Sequence, residues 1–193
     1  DRSLRQAIAM HTFLRSVRRL REPFYLVCGY GETGRLICDA LDRMGTRAVV
    51  VELDENKIGE LDLHSYAMDV PAICADASNP ETLKFAGLTH PSCIGVIALT
   101  NDDATNLAVA IAARLLAPRL PALCRAERNA TSATMASFGT RHIINPFERC
   151  SQTLALSLHA PHASPLFGWL AGSPGGRVEQ RRDPPRGNWI VCG

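Results

Sequence analysis

Short apolar runs alternate with helix-like segments along most of the chain, and this alternation limits the possible folds more than any other feature. The apolar runs cover residues 24–28, 48–51, 72–75, 94–99, 121–124 and 142–145. The segments between them show apolar residues at helical spacing or a helix start such as Asn79 before Pro80. Strands that alternate with helices at this pitch form βαβ units, and continuous apolar strands are typical of a sheet covered on both faces. The sequence therefore predicts an α/β fold with a doubly wound parallel sheet of about six strands.

A glycine-rich turn follows the first apolar run. Gly29, Gly31 and Gly34 form a G-x-G-x-x-G pattern between a predicted strand and a predicted helix, which is typical of a Rossmann-like dinucleotide site. The first glycine permits a tight turn, the second lets the backbone approach a pyrophosphate, and the third allows close helix–sheet packing. The free N–H groups at the helix start then face the anion. We expect the whole turn to lie at the cofactor: Gly29, Tyr30, Gly31, Glu32, Thr33 and Gly34.

Acidic residues follow the second apolar run. Glu52 stands after Gly34 at close to the ~20-residue spacing of an acid that accepts hydrogen bonds from a ribose diol. A carboxylate there repels a 2′-phosphate, so it favours NAD or an adenine nucleotide over NADP. Asp54 competes with Glu52 for the same role, and Leu53 lies between them. Glu32 adds a negative charge within the glycine turn, where it weakens polyphosphate binding or attracts a cation unless it points away or pairs with Arg35.

No catalytic set accompanies this site in the sequence. No histidine lies in a recognisable catalytic motif, no P-loop pattern occurs, and residues 151–193 are too linker-like for a substrate domain. A nucleotide site without visible chemistry is typical of a sensor, so we expect no enzymatic activity. Two alternatives are an NAD-dependent oxidoreductase and a structural dimerisation module that binds nothing. The three intact glycines argue against the second, because no packing need demands all of them.

Charge and cysteine content exclude further classes. Lys+Arg 21 against Asp+Glu 19 gives a net charge of +2, whereas nucleic-acid binders usually carry a strong basic excess. No stretch approaches the roughly 18–20 consecutive apolar residues of a membrane span, and no secretory signal is present. The seven cysteines are odd in number and form no C-x-x-C pair, so we expect buried thiols, a reducing compartment and no metal.

The segments around the sheet predict a chain of several parts. The arginine-rich start has Met10, Leu14 and Val17 on one helix face and is either a solvated helix or a connector. The apolar segment after the sheet either packs on the same domain or docks on a partner subunit. Because the first residue is Asp, we expect a fragment of a longer chain. The predicted parts are a basic helical connector (1–22), the nucleotide-binding lobe (23–146), an apolar helical segment (147–171), a linker (172–188) and the first strand of a second copy (189–193).

Six segments of the lobe come in the order seen in one known family, and together they are specific for it: residues 28–34, 49–54, 75–78, 97–106, 124–127 and 144–147. In these segments the chain resembles RCK domains of the TrkA-N type, the cytoplasmic regulators of potassium conductance. The resemblance extends over about residues 24–171. It implies a Rossmann lobe followed by a C-terminal crossover helix and a dimerising segment within 147–171.

The resemblance also implies ligand contacts beyond the glycine turn and Glu52. It implies Asp76 and Ala77 around the adenosine, Thr100 and Asn101 across the cleft, and Arg125 and Glu127 at the phosphates or at a neighbouring subunit. Some members bind calcium through acids after the fourth strand and in the fifth. Leu99 and Arg125 stand at those positions here, so we expect no calcium site of that type, although Glu127 is present.

The function implied by the resemblance is ligand sensing at a potassium pore. The expected ligand is NAD(H) or an adenine nucleotide (ATP, ADP or AMP). The expected assembly is a homodimer, possibly a higher ring, attached to a potassium pore domain of the same chain or complex at the cytoplasmic face of the membrane. Residues 1–22 suit a juxtamembrane connector, since Lys and Arg gather on that side. No nucleic-acid partner is expected.

Overall fold

The computed structural model describes residues 2–160, and it describes side chains from residue 7 onward. The predictions for residues 161–171, for the linker and for the strand at 189–193 lie outside the described residues. Within the described part, the elements follow in this order: α1 (Arg2–Arg19), β1 (Phe24–Cys28), α2 (Glu32–Arg43), β2 (Arg47–Glu52), α3 (Glu55–Leu63), β3 (Ala72–Cys74), α4 (Pro80–Phe85), β4 (Cys93–Ala98), α5 (Asp103–Leu116), β5 (Ala122–Arg125), α6 (Asn129–Ser137), β6 (His142–Ile144) and α7 (Pro146–His159).

The predicted fold is confirmed. All strand pairs are parallel, and the strand order is β3-β2-β1-β4-β5-β6. The chain builds outward from β1 to one edge and then returns to build outward from β4 to the other. In such a sheet the crevice at the carboxyl ends of the two central strands is where ligands bind. A ligand site is therefore expected at the carboxyl ends of β1 and β4.

One element boundary differs from the sequence prediction in a way that affects the site. The apolar pattern predicts a helix from Leu36, but α2 begins at Glu32, inside the glycine turn. Glycine is a poor helix former, so the spacing of Gly31 and Gly34 favours a turn. The close packing that Gly34 permits overrides that propensity.

Helices cover both faces of the sheet, as predicted. On one face, Leu83 of α4, Val109 of α5 and Met135 of α6 pack with the strands. On the other, Leu41 of α2 and Leu61 of α3 do so. Each fully buried side chain of this size stabilises the fold by about 1.5–3 kcal/mol relative to exposure.

Helix α1 contributes to the first of these cores. Phe13 and Val17 are buried there, and Met10 packs against them. Leu14 is only half-buried. The face predicted from Met10, Leu14 and Val17 therefore omitted Phe13, its largest member. The role of residues 1–22 as a connector stays a prediction.

The chain divides into two compact units, one up to Asn145 and one from Pro146. Helix α7 begins the second unit, and its Leu154 and Leu158 side chains are exposed. No helix in residues 2–160 has both the length and the apolar character needed to cross a bilayer.

The cysteines of the described part divide by burial. Cys28, Cys38, Cys93 and Cys124 are buried, whereas Cys74 and Cys150 are exposed, so the expectation of buried thiols holds for four of these six. Burial raises the pKa of the Cys38 thiol to about 12, with the nearby Asp39 charge adding to the effect. Cys192 lies outside the described residues.

Candidate functional site

A cleft of about 320 Å³ opens at the carboxyl ends of β1, β2 and β4. Its volume lies at the lower end of the ~300–1,000 Å³ range of small-molecule sites. It brings together these predicted site residues: Gly29, Gly31, Glu52, Leu53, Ala77, Thr100 and Asn101. The other lining residues were not among the predicted ligand contacts: Val51, Lys57, Ala75, Leu99, Asp102 and Thr105.

Two glycines of the turn are required by the fold itself. Gly29 has a φ of +99°, and a Cβ there would lie 2.9 Å from the backbone nitrogen of Thr100. A Cβ on Gly34 would lie 2.1 Å from the carbonyl oxygen of Gly29. Both positions therefore exclude larger residues for reasons of conformation or packing.

Gly31 differs from its two neighbours. Its φ of −77° and ψ of −166° are accessible to any residue. A Cβ at this position would meet no atom within 4 Å. Packing therefore does not demand all three glycines of the turn: it explains Gly29 and Gly34, and of the three only Gly31 has no structural reason to be glycine.

The start of α2 suits an anion. Gly31 is the N-cap, lines the cleft and offers no side chain to cap the helix. The first N–H groups of a helix have no intrahelical acceptor, and this end carries partial positive charge. Glu32 and Thr33 are exposed in the first turn and lie outside the cleft lining. Glu32 forms no ion pair with Arg35 among the described residues, contrary to the suggested pairing.

Glu52 is the buried carboxylate of the cleft, with 7% of its surface exposed. Its Oε2 accepts the backbone N–H of Tyr30 at 2.5 Å. Its Oε1 accepts the N–H groups of Leu53 and Asp54 at 2.9 and 3.0 Å, and Lys57 Nζ lies 4.0 Å from the same oxygen. Each carboxylate oxygen has about two acceptor positions, so Oε2 keeps one for a ligand hydroxyl.

Asp54, the competing acid, has a different local role. Its side chain is the N-cap of α3 and accepts the N–H of Asn56 at 2.9 Å. It is exposed and lies outside the cleft lining. Of the two candidate acids, Glu52 alone lies in the cleft.

The Tyr30 side chain also points elsewhere. It is buried with the α2 side of the core, and its hydroxyl lies 2.6 Å from that of Tyr66. Burial raises the pKa of Tyr30 despite this hydrogen bond. Tyr30 therefore serves the turn through its backbone N–H.

The adenosine contacts implied by the resemblance are placed unequally. Ala77 lines the cleft together with Ala75. Asp76 is exposed outside the lining, and its carboxylate accepts the N–H of Ser78 at 2.8 Å.

Thr100 and Asn101 form the wall of the cleft after β4, and α5 supports them. Asp102 is the N-cap of α5 and accepts the N–H groups of Ala104 and Thr105. The Thr105 hydroxyl, followed by these N–H groups, holds the pKa of Asp102 below its ordinary value. The turn is therefore fixed at the point where it meets the cleft.

Arg125 and Glu127 lie outside the cleft lining but reach its wall. Arg125 Nη1 donates to Asn101 Oδ1 at 2.7 Å, and Nη2 donates to the Glu127 carboxylate. The Nε of Arg125 is buried and has no hydrogen-bond partner among the described residues. Leu99, which the resemblance implies stands where some members carry a calcium ligand, is buried. Within residues 2–160, no group of three or more His, Cys, Asp or Glu side chains could hold a metal ion.

A larger cleft of about 680 Å³ lies near the amino ends of β5 and β6. Arg114, Arg119 and Arg141 line it, without the glycine turn or an acid. Arg114 lies in the last turn of α5, where a cation complements the helix dipole.

Comparison with known proteins adds a family match. A family model described as the TrkA-N domain matches residues 25–146. Potassium channel protein 1 of Methanocaldococcus jannaschii is 26% identical over 125 residues, which are 64% of this chain and 36% of that protein. The chain thus spans about a third of the length of this relative.

Solved structures share the fold at low sequence identity. The TrkA-N domain of the Escherichia coli inner membrane protein ybaL matches with a TM-score of 0.62 at 22% identity, over 70% of this chain and 96% of that one. The GsuK channel bound to NAD matches with a TM-score of 0.60 at 21% identity, over 75% of this chain and 25% of that one. GsuK bound to ADP matches with a TM-score of 0.59 at 20% identity, over 81% of this chain and 38% of that one.

Proposed function

The chain belongs to the TrkA-N domain family, and from that premise we propose that it is a regulatory domain that binds a nucleotide and controls potassium conductance. The proposed ligand is NAD(H) or an adenine nucleotide, held in the cleft at the ends of β1, β2 and β4. NAD and ADP are the ligands named for the GsuK structures, which share the fold.

Gly31 is the observation that carries the proposal. Neither its backbone conformation nor its surroundings require a glycine, yet it lines the cleft at the start of α2. A phosphate that approaches the N–H groups of that helix start would need the space that a side chain would fill. The phosphates of the ligand are therefore assigned to this end of the cleft.

The ribose is assigned to Glu52 and the phosphate charge to Arg125. Glu52 is held by three backbone donors and keeps an acceptor position on Oε2. The Arg125 guanidinium binds Asn101 and the Glu127 carboxylate, and its buried Nε has no hydrogen-bond partner within the part of the chain that the structure describes. The carboxylate of Glu52 suits the ribose hydroxyls of a nucleotide, and the guanidinium of Arg125 suits its negatively charged phosphates.

The proposal extends to assembly and location. The domain would act as a homodimer, possibly within a higher ring, attached to a potassium pore at the cytoplasmic face of the membrane. The potassium channel relative supports the pore, and the exposed Leu154 and Leu158 of α7 support a subunit contact. A nucleotide would shift the gate only if it binds the two arrangements of the assembly with different affinities. We expect no turnover.

The test is a substitution at Gly31 with a matched control. Gly31→Thr fills the open space while keeping an N-cap residue about as favourable as glycine. Gly59→Thr makes the same change on exposed α3, where a Cβ also meets nothing within 4 Å. Calorimetric titration with NAD and ADP should show at least about tenfold weaker binding for Gly31→Thr, equal to 1.4 kcal/mol. Gly59→Thr should bind like the unaltered chain, and equal binding by Gly31→Thr would refute the assignment.

A further inference from the structure

Asn106 is a buried amide whose hydrogen-bonding groups are all used. It lies in the first turn of α5 and is 0% exposed. Its Oδ1 accepts the backbone N–H of Thr100 at 3.0 Å and the Thr100 hydroxyl at 2.8 Å. Its Nδ2 donates to the carbonyl of Thr100 at 2.9 Å and to that of Arg125 at 3.1 Å. A single side chain thus ties the turn after β4 to the end of β5.

These bonds join the turn that carries Thr100 to the end of β5 that carries Arg125. Thr100 lines the cleft, and Asn101 follows it. Arg125 donates to Asn101 from the neighbouring strand. Asn106 itself lies outside the cleft lining. It therefore acts on a bound molecule only through the wall that it holds.

That wall faces a particular part of the ligand. Glu52 and Ala77 line the cleft where the adenosine is assigned, and Thr100 and Asn101 line it beyond the glycine turn. The guanidinium of Arg125 is held against this wall by Asn101 and also binds the Glu127 carboxylate. A cation there interacts more strongly with a diphosphate than with a monophosphate, because the diphosphate carries more charge and extends further.

We propose that Asn106 is a positioning residue that holds the Thr100–Asn101 wall and Arg125 in register, and thereby favours ligands with a diphosphate over AMP. The inference rests on the proposed nucleotide site. An isosteric apolar residue would lose all four hydrogen bonds and leave buried backbone groups of Thr100 unpaired. The wall would shift, whereas the glycine turn and Glu52 would keep their positions.

The experiment measures selectivity as well as affinity. Calorimetric titration of the purified chain gives the ratio of the AMP and ADP dissociation constants for the unaltered chain, for Asn106→Leu and for Asn106→Ser. The structural control is Leu83→Ala, which removes a fully buried side chain of α4 away from the cleft. Thermal melting is recorded for every variant, and the milder Asn106→Ser carries the test if Asn106→Leu does not fold.

The inference predicts that the unaltered chain binds ADP at least about tenfold more tightly than AMP, a difference of 1.4 kcal/mol. The ratio should fall to about threefold or less in the Asn106 variants, mainly through weaker ADP binding. Leu83→Ala should lose thermal stability and keep the ratio. An unchanged ratio in the Asn106 variants would overturn this inference and leave the nucleotide site standing. Absence of binding of both ADP and AMP by the unaltered chain would overturn this inference, and absence of NAD binding as well would overturn the proposed nucleotide site.

Discussion

The backbone N–H of Tyr30 donates a 2.5 Å hydrogen bond to the carboxylate of Glu52, so the acid at the end of β2 holds the glycine turn in place. The same carboxylate accepts two further N–H groups at the start of the loop to α3. Glu52 therefore has a structural role whether or not a ligand is bound. Its removal would disturb the turn, and weaker binding after such a change would not by itself show a ribose contact.

A change in the ligand tests the ribose contact with the protein left intact. We expect 2′-deoxy-ADP to bind about tenfold more weakly than ADP, because a hydrogen bond to a charged group contributes about 1.5–3 kcal/mol. Titration of both ligands measures the difference. Glu52→Gln is the companion variant, in which the discrimination between the two ligands should shrink. Equal affinities in the unaltered chain would remove Glu52 from the ribose site.

Gly34→Ala should destabilise the fold. The added Cβ would lie 2.1 Å from the carbonyl oxygen of Gly29, so α2 must move away from the end of β1. We expect a loss of roughly 2–4 kcal/mol in the free energy of unfolding, measured by urea denaturation. Gly59→Ala is the matched control: it has open space within α3 and should gain about 0.5–1 kcal/mol. A Gly34→Ala midpoint equal to that of the unaltered chain would contradict the packing described for the turn.

Asp103→Asn should produce a pH-dependent loss of stability. Asp103 is buried and accepts the N–H groups of Glu127 and Arg128 at 2.8 and 3.0 Å. Burial by itself would raise the pKa of Asp103, but these donors, with the Thr131 and Arg128 side chains, outweigh it and lower that pKa. The unfolded chain therefore binds the proton first as the pH falls. The stabilisation is complete above the ordinary pKa of about 4 and is lost as the pH falls through the lower folded value.

Urea unfolding at pH 7 and near pH 3 measures this effect. At pH 7, Asp103→Asn should be less stable than the unaltered chain by about 1.5–3 kcal/mol, and the gap should narrow at the acidic pH. Asp62→Asn on exposed α3 is the control and should change little at either pH. A gap that stays constant with pH would show that the carboxylate charge is not what stabilises this loop.

Helix α7 offers a test of the proposed homodimer. Leu154 and Leu158 are exposed on it, so charged replacements should disrupt a subunit contact with little effect on folding. We expect Leu154→Lys combined with Leu158→Lys to convert a dimer to a monomer in sedimentation velocity. Leu63→Lys, at a side chain that is 87% exposed on α3, should leave the dimer intact. A dimer that persists in the α7 variant would place the interface elsewhere.

The sequence predicted the sheet because apolar periodicity reports burial directly. Each strand is short and nearly all apolar, and each runs into a helix or turn signal within a few residues. The start of α2 was missed because Gly34 weakens the helix pattern at the place where its close packing on Gly29 decides the structure. Local propensity cannot reveal a contact between a helix and the preceding strand end.

The site was predicted less completely than the fold, for a related reason. Glu52 and Asp54 both follow β2, and an N-cap preference for Asp before a helix was the available signal that Asp54 caps α3. Lys57, Thr105 and Asn106 lie on helices that follow the strands, so their approach to the cleft depends on how each helix rotates against the sheet. Asn106 falls within the segment 97–106 that carried the family resemblance, but its four hydrogen bonds become visible only when Thr100 and Arg125 are placed.

The most direct measurement is the thermal unfolding midpoint of the purified chain with NAD, NADH, NADP, ATP, ADP and AMP, each run beside Gly31→Thr. A ligand at ~100 times its dissociation constant stabilises the folded state by about 2.7 kcal/mol, which raises the midpoint measurably. The account predicts a rise with NAD(H) or an adenine nucleotide that exceeds the rise with NADP and is lost in Gly31→Thr. No rise with any nucleotide, or an equal rise in Gly31→Thr, would contradict it.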